Sequence, residues 1–442
     1  MTKVSDQHLL RRYQERFSFV APQLDTPPAS DLSQVVVIPV HDELHLIASL
    51  DSLAGCHQTQ GSTEVILVFN TAENAAPAVK ENTENGRQAC LSWMREQASL
   101  SLTFHVLNHP DLPRKHAGVG LARKIGMDEA AARLTKSVGL ETGIITCFDA
   151  DCTCAPQHLT AIENHFAQHP RSAACSIYFE HPLEGLLPAS QYDAVAAYEL
   201  HLRYHVEALR SVGFPHALHT IGSSMAVRAK TYLEQGGMNR RKAGEDFYFL
   251  QKIMSSAEVT ELNETAVYPS ARPSHRVPFG TGRAIQQVLS GTPQTTYNPQ
   301  AFEDLAWLVK QIEAHSFEEG GRLPQWLPDK IPPKLAAFLD RNEISAALEE
   351  IGANVSTTAQ FRKRFWRWFN GFRCMKFLNW VSENGYPRVE VALAASDPAL
   401  RQWVGFTEPS PTVTQLLQSY RRWQRFGSQA PEQGHPATKD AQ

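Results

Sequence analysis

Four short apolar runs, separated by stretches with helical periodicity, constrain the fold of this chain most strongly. They cover residues 34–40, 64–69, 102–107 and 144–148. Continuous runs rich in β-branched residues are typical of strands that are buried on both faces of a sheet. Because strands that alternate with helices form right-handed crossover units, the sequence predicts an α/β fold, a mostly parallel sheet flanked by helices.

Two carboxylates follow the fourth run directly. Asp149 and Asp151 are separated by one residue, and alternate side chains of an extended segment point to the same face. Their oxygens can therefore meet just beyond the end of the strand, where open α/β sheets bind ligands. Hard oxygen ligands suit Mg²⁺ or Mn²⁺, ions that commonly bridge to substrate phosphates. The alternative is a solvated turn, in which Asp is common.

Composition narrows the class of protein. The chain has 442 residues, 42% hydrophobic and 20% charged, with a net charge of −4. This is ordinary globular composition, without the basic field that binds nucleic acid. Residues 1–20 lack the apolar centre of a signal peptide, and no apolar run reaches the roughly 20 residues of a membrane-spanning helix. We therefore expect a cytoplasmic protein.

The cysteines agree with that expectation. There are seven, scattered along the chain, and an odd number without an export signal favours reduced thiols. Cys152 and Cys154 form a Cys-x-Cys beside the acidic pair. A thiolate metal site is disfavoured, because it would need further paired Cys or His nearby and none has the usual spacing.

A glycine-rich loop at 115–120 leads into a predicted helix that carries Arg123 and Lys124. Glycines allow close backbone approach, and a helix N-terminus favours phosphate. The loop lacks the third glycine of a dinucleotide-binding fingerprint. Alone, it fits equally a loop before an ordinary surface helix whose basic residues are solvated.

A second predicted helix opens with Gly244 and carries Glu245 and Asp246 in its first turn. Acidic residues there stabilise the helix dipole in any protein. The functional interpretation of the pair is a general base.

The segment 268–283 is rich in proline, glycine and cations. Its arginines, among them Arg272 and Arg276, suit a diphosphate because the guanidinium matches phosphate oxygens bidentately. The alternative is a surface loop with solvated His and Arg side chains.

From about residue 291 the sheet pattern stops and helical periodicity takes over. The segment 361–378 is aromatic and basic, with Phe361, Phe365, Trp368 and Phe372 on one helical face. Packing of this face on the rest of the fold is favoured over peripheral contact with an anionic membrane surface. We predict four parts: an N-terminal helix and linker at 1–32, the α/β domain at 33–290, a mainly helical region at 291–426 and a disordered tail at 427–442.

Six motifs in this order resemble the GT-A fold of the nucleotide-sugar glycosyltransferases, most closely family 2, over residues 33–255. The motifs are Pro39-x-x-x-Glu43, Gly118-x-x-x-Ala122-Arg123-Lys124, Asp149-Ala150-Asp151, Gly222-Ser223-Ser224-x-x-x-Arg228, Gly236-Gly237-Met238 and Gly244-Glu245-Asp246-Phe247. Two departures stand out. Asn70-Thr71 occupies the place of a frequent Asp-Asp pair, and Lys124 stands where Asn is frequent.

The resemblance implies metal-dependent transfer of a sugar from a nucleotide-sugar donor to an acceptor hydroxyl, with Asp246 as general base and Glu245 as an acceptor contact or base-orienting residue. It implies a divalent cation, Mn²⁺ or Mg²⁺, on Asp149, Asp151 and His275. The implied nucleotide-sugar contacts are Pro39, Val40, His41, Glu43, Asn70, Arg123, Lys124, Asp149 and Ala150. The implied acceptor and diphosphate contacts are Gly222, Ser223, Arg272 and Arg276.

Several functions stay open at this point. Inversion at the sugar carbon is favoured, but retaining GT-A enzymes that resemble mannosylglycerate synthase share the Asp-x-Asp and a later His. A nucleotidyltransferase is disfavoured, because its Gly-rich basic loop should follow the first strand, where this chain has residues 39–43. A non-catalytic module that binds nucleotides or a membrane surface is the third alternative. The acceptor is not specified by the sequence.

Overall fold

The computed structural model describes residues 2–97, 101–273, 280–315 and 331–427, without the side chains of residues 2–4. The strands are β1 (Leu32–Val40), β2 (Ser62–Ala72), β3 (Leu102–Leu112), β4 (Ile144–Cys147), β5 (Thr153–Cys154), β6 (Ala174–Phe179), β7 (Met225–Arg228), β8 (Val259–Tyr268), β9 (Thr295–Thr296) and β10 (Val389–Glu390). The helices before residue 291 are α1 (Thr2–Phe17), α2 (Leu46–Ala54), α3 (Pro77–Glu96), α4 (Val119–Lys136), α5 (His158–Gln168), α6 (Ala189–Ser211), α7 (Ala229–Glu234), α8 (Glu245–Met254) and α9 (Thr281–Leu289). Those after it are α10 (Pro299–Ala314), α11 (Pro333–Arg341), α12 (Ile344–Ala353), α13 (Thr358–Trp368), α14 (Gly371–Asn384), α15 (Val391–Ala395), α16 (Pro398–Trp403) and α17 (Val413–Phe426).

Eight strands form one sheet in the order β3-β2-β1-β4-β7-β6-β8-β5. The pairs β1–β2, β2–β3, β1–β4 and β6–β8 are parallel, whereas β7 runs antiparallel to both of its neighbours, β4 and β6. Six strands thus end at the same edge of the sheet, and β7 starts there. The predicted fold class, a mostly parallel α/β sheet flanked by helices with a helical C-terminal region, is confirmed.

Helices cover both faces of the sheet, which explains the continuous apolar runs. In β1, Val35 and Val37 belong to one core with α4 and α7, and Val36 and Ile38 belong to the opposite core with α2, α3 and α5. The helix α4 is buried along nearly its whole length. Gly126 permits its close approach, because a Cβ there would lie 2.4 Å from Cγ1 of Val37.

The motif Gly222-Ser223-Ser224-x-x-x-Arg228 spans a turn and a strand. Met225–Arg228 forms the strand, and Gly222 lies in the turn before it. The turn brings this segment to the edge of the sheet where β4 ends, because Cys147 pairs with Met225.

The C-terminal helices build a third core together with α6. The predicted single aromatic helix is two helices, because Asn370 interrupts it and caps α14 by accepting a hydrogen bond from the Arg373 amide at 3.1 Å. Phe361 and Phe365 are fully buried in this core, so they do not form a surface that could enter a membrane. Among the described residues, none of the helices has the length and apolar character needed to cross a membrane.

The division into four parts stays a prediction. Residues 428–442 of the predicted tail lie outside the described residues.

Candidate active site

The acidic pair lies in the tight turn that follows β4. The amide of Cys152 donates to the carbonyl of Asp149 at 3.1 Å, which closes the turn. The helix α2 braces it from one side: Ser49 Oγ donates to the Ala150 carbonyl at 2.8 Å, and Ser52 Oγ accepts from the Cys154 amide at 2.8 Å. The turn is therefore held on a rigid part of the fold.

Arg123 is the cation at the centre of the site. Its guanidinium, only 1% exposed, donates to Asp149 Oδ1 at 2.5 Å through Nη2 and to Glu245 Oε1 through Nη1. Asp149, Glu245 and Asp246 raise the pKa of Arg123 against the opposing effect of burial, so the side chain is charged. Arg123 thus joins the turn after β4 to α8. Its contact with a nucleotide sugar stays a prediction.

Gly222 makes this arrangement possible. A Cβ at this position would lie 2.7 Å from Arg123 Nη1 and 3.0 Å from Asp246 Oδ2. The turn before β7 can thus press its backbone against both charged groups only because residue 222 has no side chain.

Glu245 and Asp246 open α8 as predicted, after Gly244 in the left-handed conformation at φ 71°. Glu245 is buried, and burial raises its pKa to about 7 although Arg123 opposes the shift. Burial also raises the pKa of Asp246, again opposed by Arg123 and by the Phe247 amide, which donates to Asp246 Oδ1 at 2.7 Å. Both carboxyls bind protons more tightly than an exposed carboxyl does.

The site has an open side and a closed floor. Arg123 and Glu245 form the buried floor, whereas Asp149, Asp151 and Asp246 are each half-buried. One guanidinium thus lies among three carboxyl groups, those of Asp149, Glu245 and Asp246, and a fourth, that of Asp151, lies beside Asp149. Two of the four, Glu245 and Asp246, have raised pKa values. This surplus of acid favours a bound cation on the open side.

Three side chains lie close enough together to be compared as ligands of a divalent cation: Asp149, Asp151 and Cys152. One ligand atom from each lies within 4.8 Å of the others. Burial and the neighbouring carboxylates raise the pKa of the Cys152 thiol well above its ordinary value, so it stays protonated. Because a neutral thiol is a poor ligand for a hard ion, the two carboxylates are the residues that fit Mn²⁺ or Mg²⁺.

A second ion pair lies where residues 40–45 approach the segment after β8. Arg272 Nη2 donates to Oε1 of the buried Glu43 at 2.9 Å, and the same oxygen accepts from the His45 amide at 2.7 Å. Arg272 is thus fixed by its ion pair with Glu43 and is not simply solvated. His275 and Arg276, the predicted third metal ligand and a diphosphate contact, lie outside the described residues.

Asn70 ties the ends of β1 and β2 together. Its Nδ2 donates to the carbonyls of Val40 at 3.0 Å and of Val68 at 3.3 Å, and its own carbonyl lies 2.8 Å from His41 Nδ1. Pro39, Val40 and Ala150 are buried in the sheet and its core, so only their backbones can contact a nucleotide.

The structure does not bring Lys124, the other predicted basic contact, together with Arg123. Adjacent residues of a helix point about 100° apart. The buried Lys124 ammonium donates to Tyr13 Oη at 2.6 Å and contacts Asp128 at 3.2 Å, so it anchors α1 to α4.

Gly120, in the first turn of α4, allows a close approach of the backbone. A Cβ at this position would lie within 3.1 Å of the Asn239 carbonyl.

Two neighbours of the site were missed. Tyr198 of α6 has its pKa raised to about 12, first by burial and then by the charge of Asp246, which places its ring near that carboxyl. Asn239 Nδ2 donates to the Glu245 carbonyl at 3.0 Å. Neither residue has a local sequence signal, since each meets α8 only through the tertiary fold.

Comparisons with known proteins give distant likenesses. No family model matches the chain, and no curated protein matches it. Among solved structures, S. aureus TarS 1–349 in complex with UDP-GlcNAc is 13% identical with a TM-score of 0.38, over 76% of this chain and 91% of that one. In another structure of the same TarS fragment, at 16% identity and a TM-score of 0.34, the match spans 54% of this chain and only 60% of that one.

The mannosyltransferase PcManGT from Pyrobaculum calidifontis, in complex with GDP-Man and Mn²⁺, is 15% identical with a TM-score of 0.36, over 95% of this chain and 92% of that one. At such TM-scores the likeness does not assign the chain to a family. Its function has to be argued from the site itself.

Proposed function

We propose that this protein is a divalent-cation-dependent glycosyltransferase, which moves a sugar from a nucleotide-sugar donor to an acceptor hydroxyl with inversion. The observation that carries the proposal is the open acidic cluster: Asp149, Asp151 and Asp246 stand over the buried Arg123–Glu245 pair at the edge where β4 ends. A cation site and an accessible base are thus neighbours. Metal-dependent transfer of a sugar from a nucleotide-sugar donor with inversion uses both.

Asp149 and Asp151 would hold the cation. When bound, a divalent ion supplies Lewis-acid stabilisation of the charge that develops on a leaving diphosphate. Arg123 keeps Asp149 in place from below. His275 stays a proposed third ligand, and His41, Glu43 and Asn70 stay proposed to line the nucleoside.

Asp246 is the proposed general base. An acceptor hydroxyl is a poor nucleophile, and a placed carboxylate that takes its proton in the transition state contributes roughly 10²–10⁴-fold. The raised pKa of Asp246 makes it a stronger base than an exposed Asp, and the Phe247 amide fixes its Oδ1. Glu245, held by Arg123, is a positioning residue that orients the start of α8.

Thermal unfolding with nucleotides tests the proposal first. We expect one of UDP, GDP, ADP and CDP to raise the unfolding midpoint in the presence of Mn²⁺, since ligand at one hundred times its Kd adds about 2.7 kcal/mol of stability. Asp151→Asn should lose the metal-dependent shift. The matched control Asp340→Asn, on the exposed side of α11, should keep it. No shift with any of the four nucleotides would contradict the proposal.

Turnover of the matching nucleotide sugar tests the base. With water as the acceptor, release of the nucleoside diphosphate should fall at least a hundredfold in Asp246→Asn, about the contribution of a general base. The nucleotide-dependent shift should persist, because Asp246 does not hold the cation. Undiminished release in this variant would rule out Asp246 as the base. Retention of the anomeric configuration in the released sugar would favour the retaining alternative instead.

A further inference from the structure

Two cysteines outside the acidic site face each other across α2 and β5. Cys56 follows the end of α2 and Cys154 lies in β5, and their Sγ atoms are 3.6 Å apart. Cys56 is 8% exposed and Cys154 is half-buried. The pair therefore opens to solvent mainly at Cys154, which is the side from which a small oxidant can approach.

The surroundings make the two thiols unequal. The contact with Cys154 lowers the pKa of Cys56 most, against the effect of burial, and the backbone of Leu159 and His158 at the start of α5 lowers it further. The same contact and burial raise the pKa of Cys154. Cys56 thus has the thiolate character of a nucleophile, and Cys154 keeps its proton.

The other five cysteines lack the lowered pKa of Cys56. In Cys90, Cys147, Cys152, Cys175 and Cys374, burial is the first cause of a raised thiol pKa. Within the described parts of the chain, which include all seven cysteines, no other Sγ–Sγ contact occurs.

We propose that Cys56 and Cys154 form a redox modification site, which a peroxide converts into a reversible disulfide between α2 and β5. The Cys56 thiolate attacks one peroxide oxygen, the O–O bond breaks, and water leaves with the available proton, so that Cys56 becomes a sulfenic acid. Cys154 Sγ then attacks Cys56 Sγ, the S–O bond breaks, and hydroxide leaves with the Cys154 proton as water. Two thiols lose two electrons in total, and the peroxide is reduced to two molecules of water.

The reduced protein already holds the two cysteines in positions from which little movement is needed to form the disulfide. Ser52 Oγ lies 3.3 Å from Cys154 Sγ and accepts from the Cys154 amide, so α2 and β5 are held together before any oxidation. A disulfide needs the two sulfurs to approach to about 2.05 Å, a shift of well under one side-chain length. The link would covalently fix the brace that supports the turn of Asp149 and Asp151.

Peptide mapping of the intact protein tests the site. After hydrogen peroxide treatment and alkylation without reductant, we expect a peptide that joins Cys56 to Cys154 and disappears on treatment with dithiothreitol. The matched control Cys175→Ala should give the same linked peptide. Recovery of both thiols as alkylated cysteines, or a link between other cysteines, would overturn the proposal.

A trapping variant tests the order of the two steps. In Cys154→Ser the sulfenic acid has no resolving thiol, so dimedone should label Cys56 several times more strongly than in the wild-type protein. Cys56→Ser should give no such label at Cys154. Oxidation should also raise the thermal midpoint of the wild type but not of Cys154→Ser, because the link closes a long loop in the unfolded chain. Equal labelling of position 56 in the wild type and in Cys154→Ser would contradict the mechanism.

Discussion

At the scale of single residues, Arg123 decides the electrostatics of the site. It lies beside Lys124 in the sequence, yet one side chain joins the acidic cluster and the other anchors Tyr13. Sequence periodicity could not tell them apart, since α4 is buried nearly all round and has no polar face from which to read an orientation. The Asp149–Asp151 pair, in contrast, was predictable, because it directly follows an unmistakable strand.

The contact of Gly222 gives a prediction at this scale. Gly222→Ala should displace Arg123 or Asp246, because its Cβ would stand 2.7 Å from the guanidinium. We expect a loss of about 1–3 kcal/mol in the free energy of unfolding, the usual cost of overpacking, and a loss of donor turnover. Chemical denaturation and release of the nucleoside diphosphate measure the two effects.

Gly55→Ala is the control for this substitution. Gly55 has ordinary helical φ and ψ, and a Cβ there would come no closer than 3.3 Å to the nearest carbonyl. It should leave turnover unchanged. If Gly222→Ala behaved like this control, Gly222 would not be the residue that sets the position of Arg123.

At the scale of elements, strands were easier to predict than helix faces. The runs of β1 and β2 were predictable because both faces of the sheet are covered, so that residues 35–40 and 65–69 are all apolar. The aromatic segment was read as one helix, although Asn370-Gly371 is a recognisable helix start. Its break at this point separates α13 from α14, and Phe369 is buried as well as Phe361 and Phe365.

Because the aromatic face of α13 is buried, we predict that its residues stabilise the fold and do not bind a membrane. Phe365→Ala should destabilise the fold by about 3–5 kcal/mol, as expected for a cavity left by a fully buried aromatic ring. The substitution should not change co-sedimentation with anionic vesicles. Lys363→Ala, at an exposed position of the same helix, serves as the control and should leave stability nearly unchanged. A stability of Phe365→Ala equal to the wild type would contradict the packing of α13.

At the scale of the whole molecule, α6 and α17 share a network of buried charge. Glu199 of α6 accepts from Arg203 at 2.7 Å, from Arg421 of α17 at 2.7 Å, and from the His181 amide at 2.8 Å. These partners lower the pKa of Glu199 well below its ordinary value although burial opposes them. No local pattern indicates this network, because 222 residues separate Glu199 from Arg421.

The burial of His158 predicts how the stability of the protein changes with pH. Burial lowers the pKa of His158 from 6.5 to about 4, so the unfolded chain takes up a proton at a higher pH than the folded one. The stability that depends on neutral His158 is therefore complete above pH 6.5 and is lost as pH falls towards about 4. Over this window, His158 should lower the free energy of unfolding by roughly 1.4 kcal/mol per pH unit.

A variant without this histidine separates its effect on stability from that of the carboxyl groups that titrate in the same pH range. In His158→Met the slope of stability against pH between 6.5 and 4 should be shallower by that amount, as measured by denaturant unfolding at several pH values. His57→Gln, at an exposed neighbouring position, should keep the wild-type slope. An identical slope in His158→Met would show that His158 is not held neutral.

The contacts of Tyr13 that anchor α1 have a consequence for folding during synthesis of the chain. Tyr13 Oη donates to Asp128 Oδ1 at 2.6 Å and lies 3.3 Å from Tyr232 Oη, a partner 219 residues further along. A ribosome adds residues in order, so α1 cannot complete this anchor until α7 has been synthesised. During that interval Leu9 and Leu10, which pack against the core of the finished protein, are open to chaperones and to neighbouring chains. The packing of this first helix thus depends on the pace of translation.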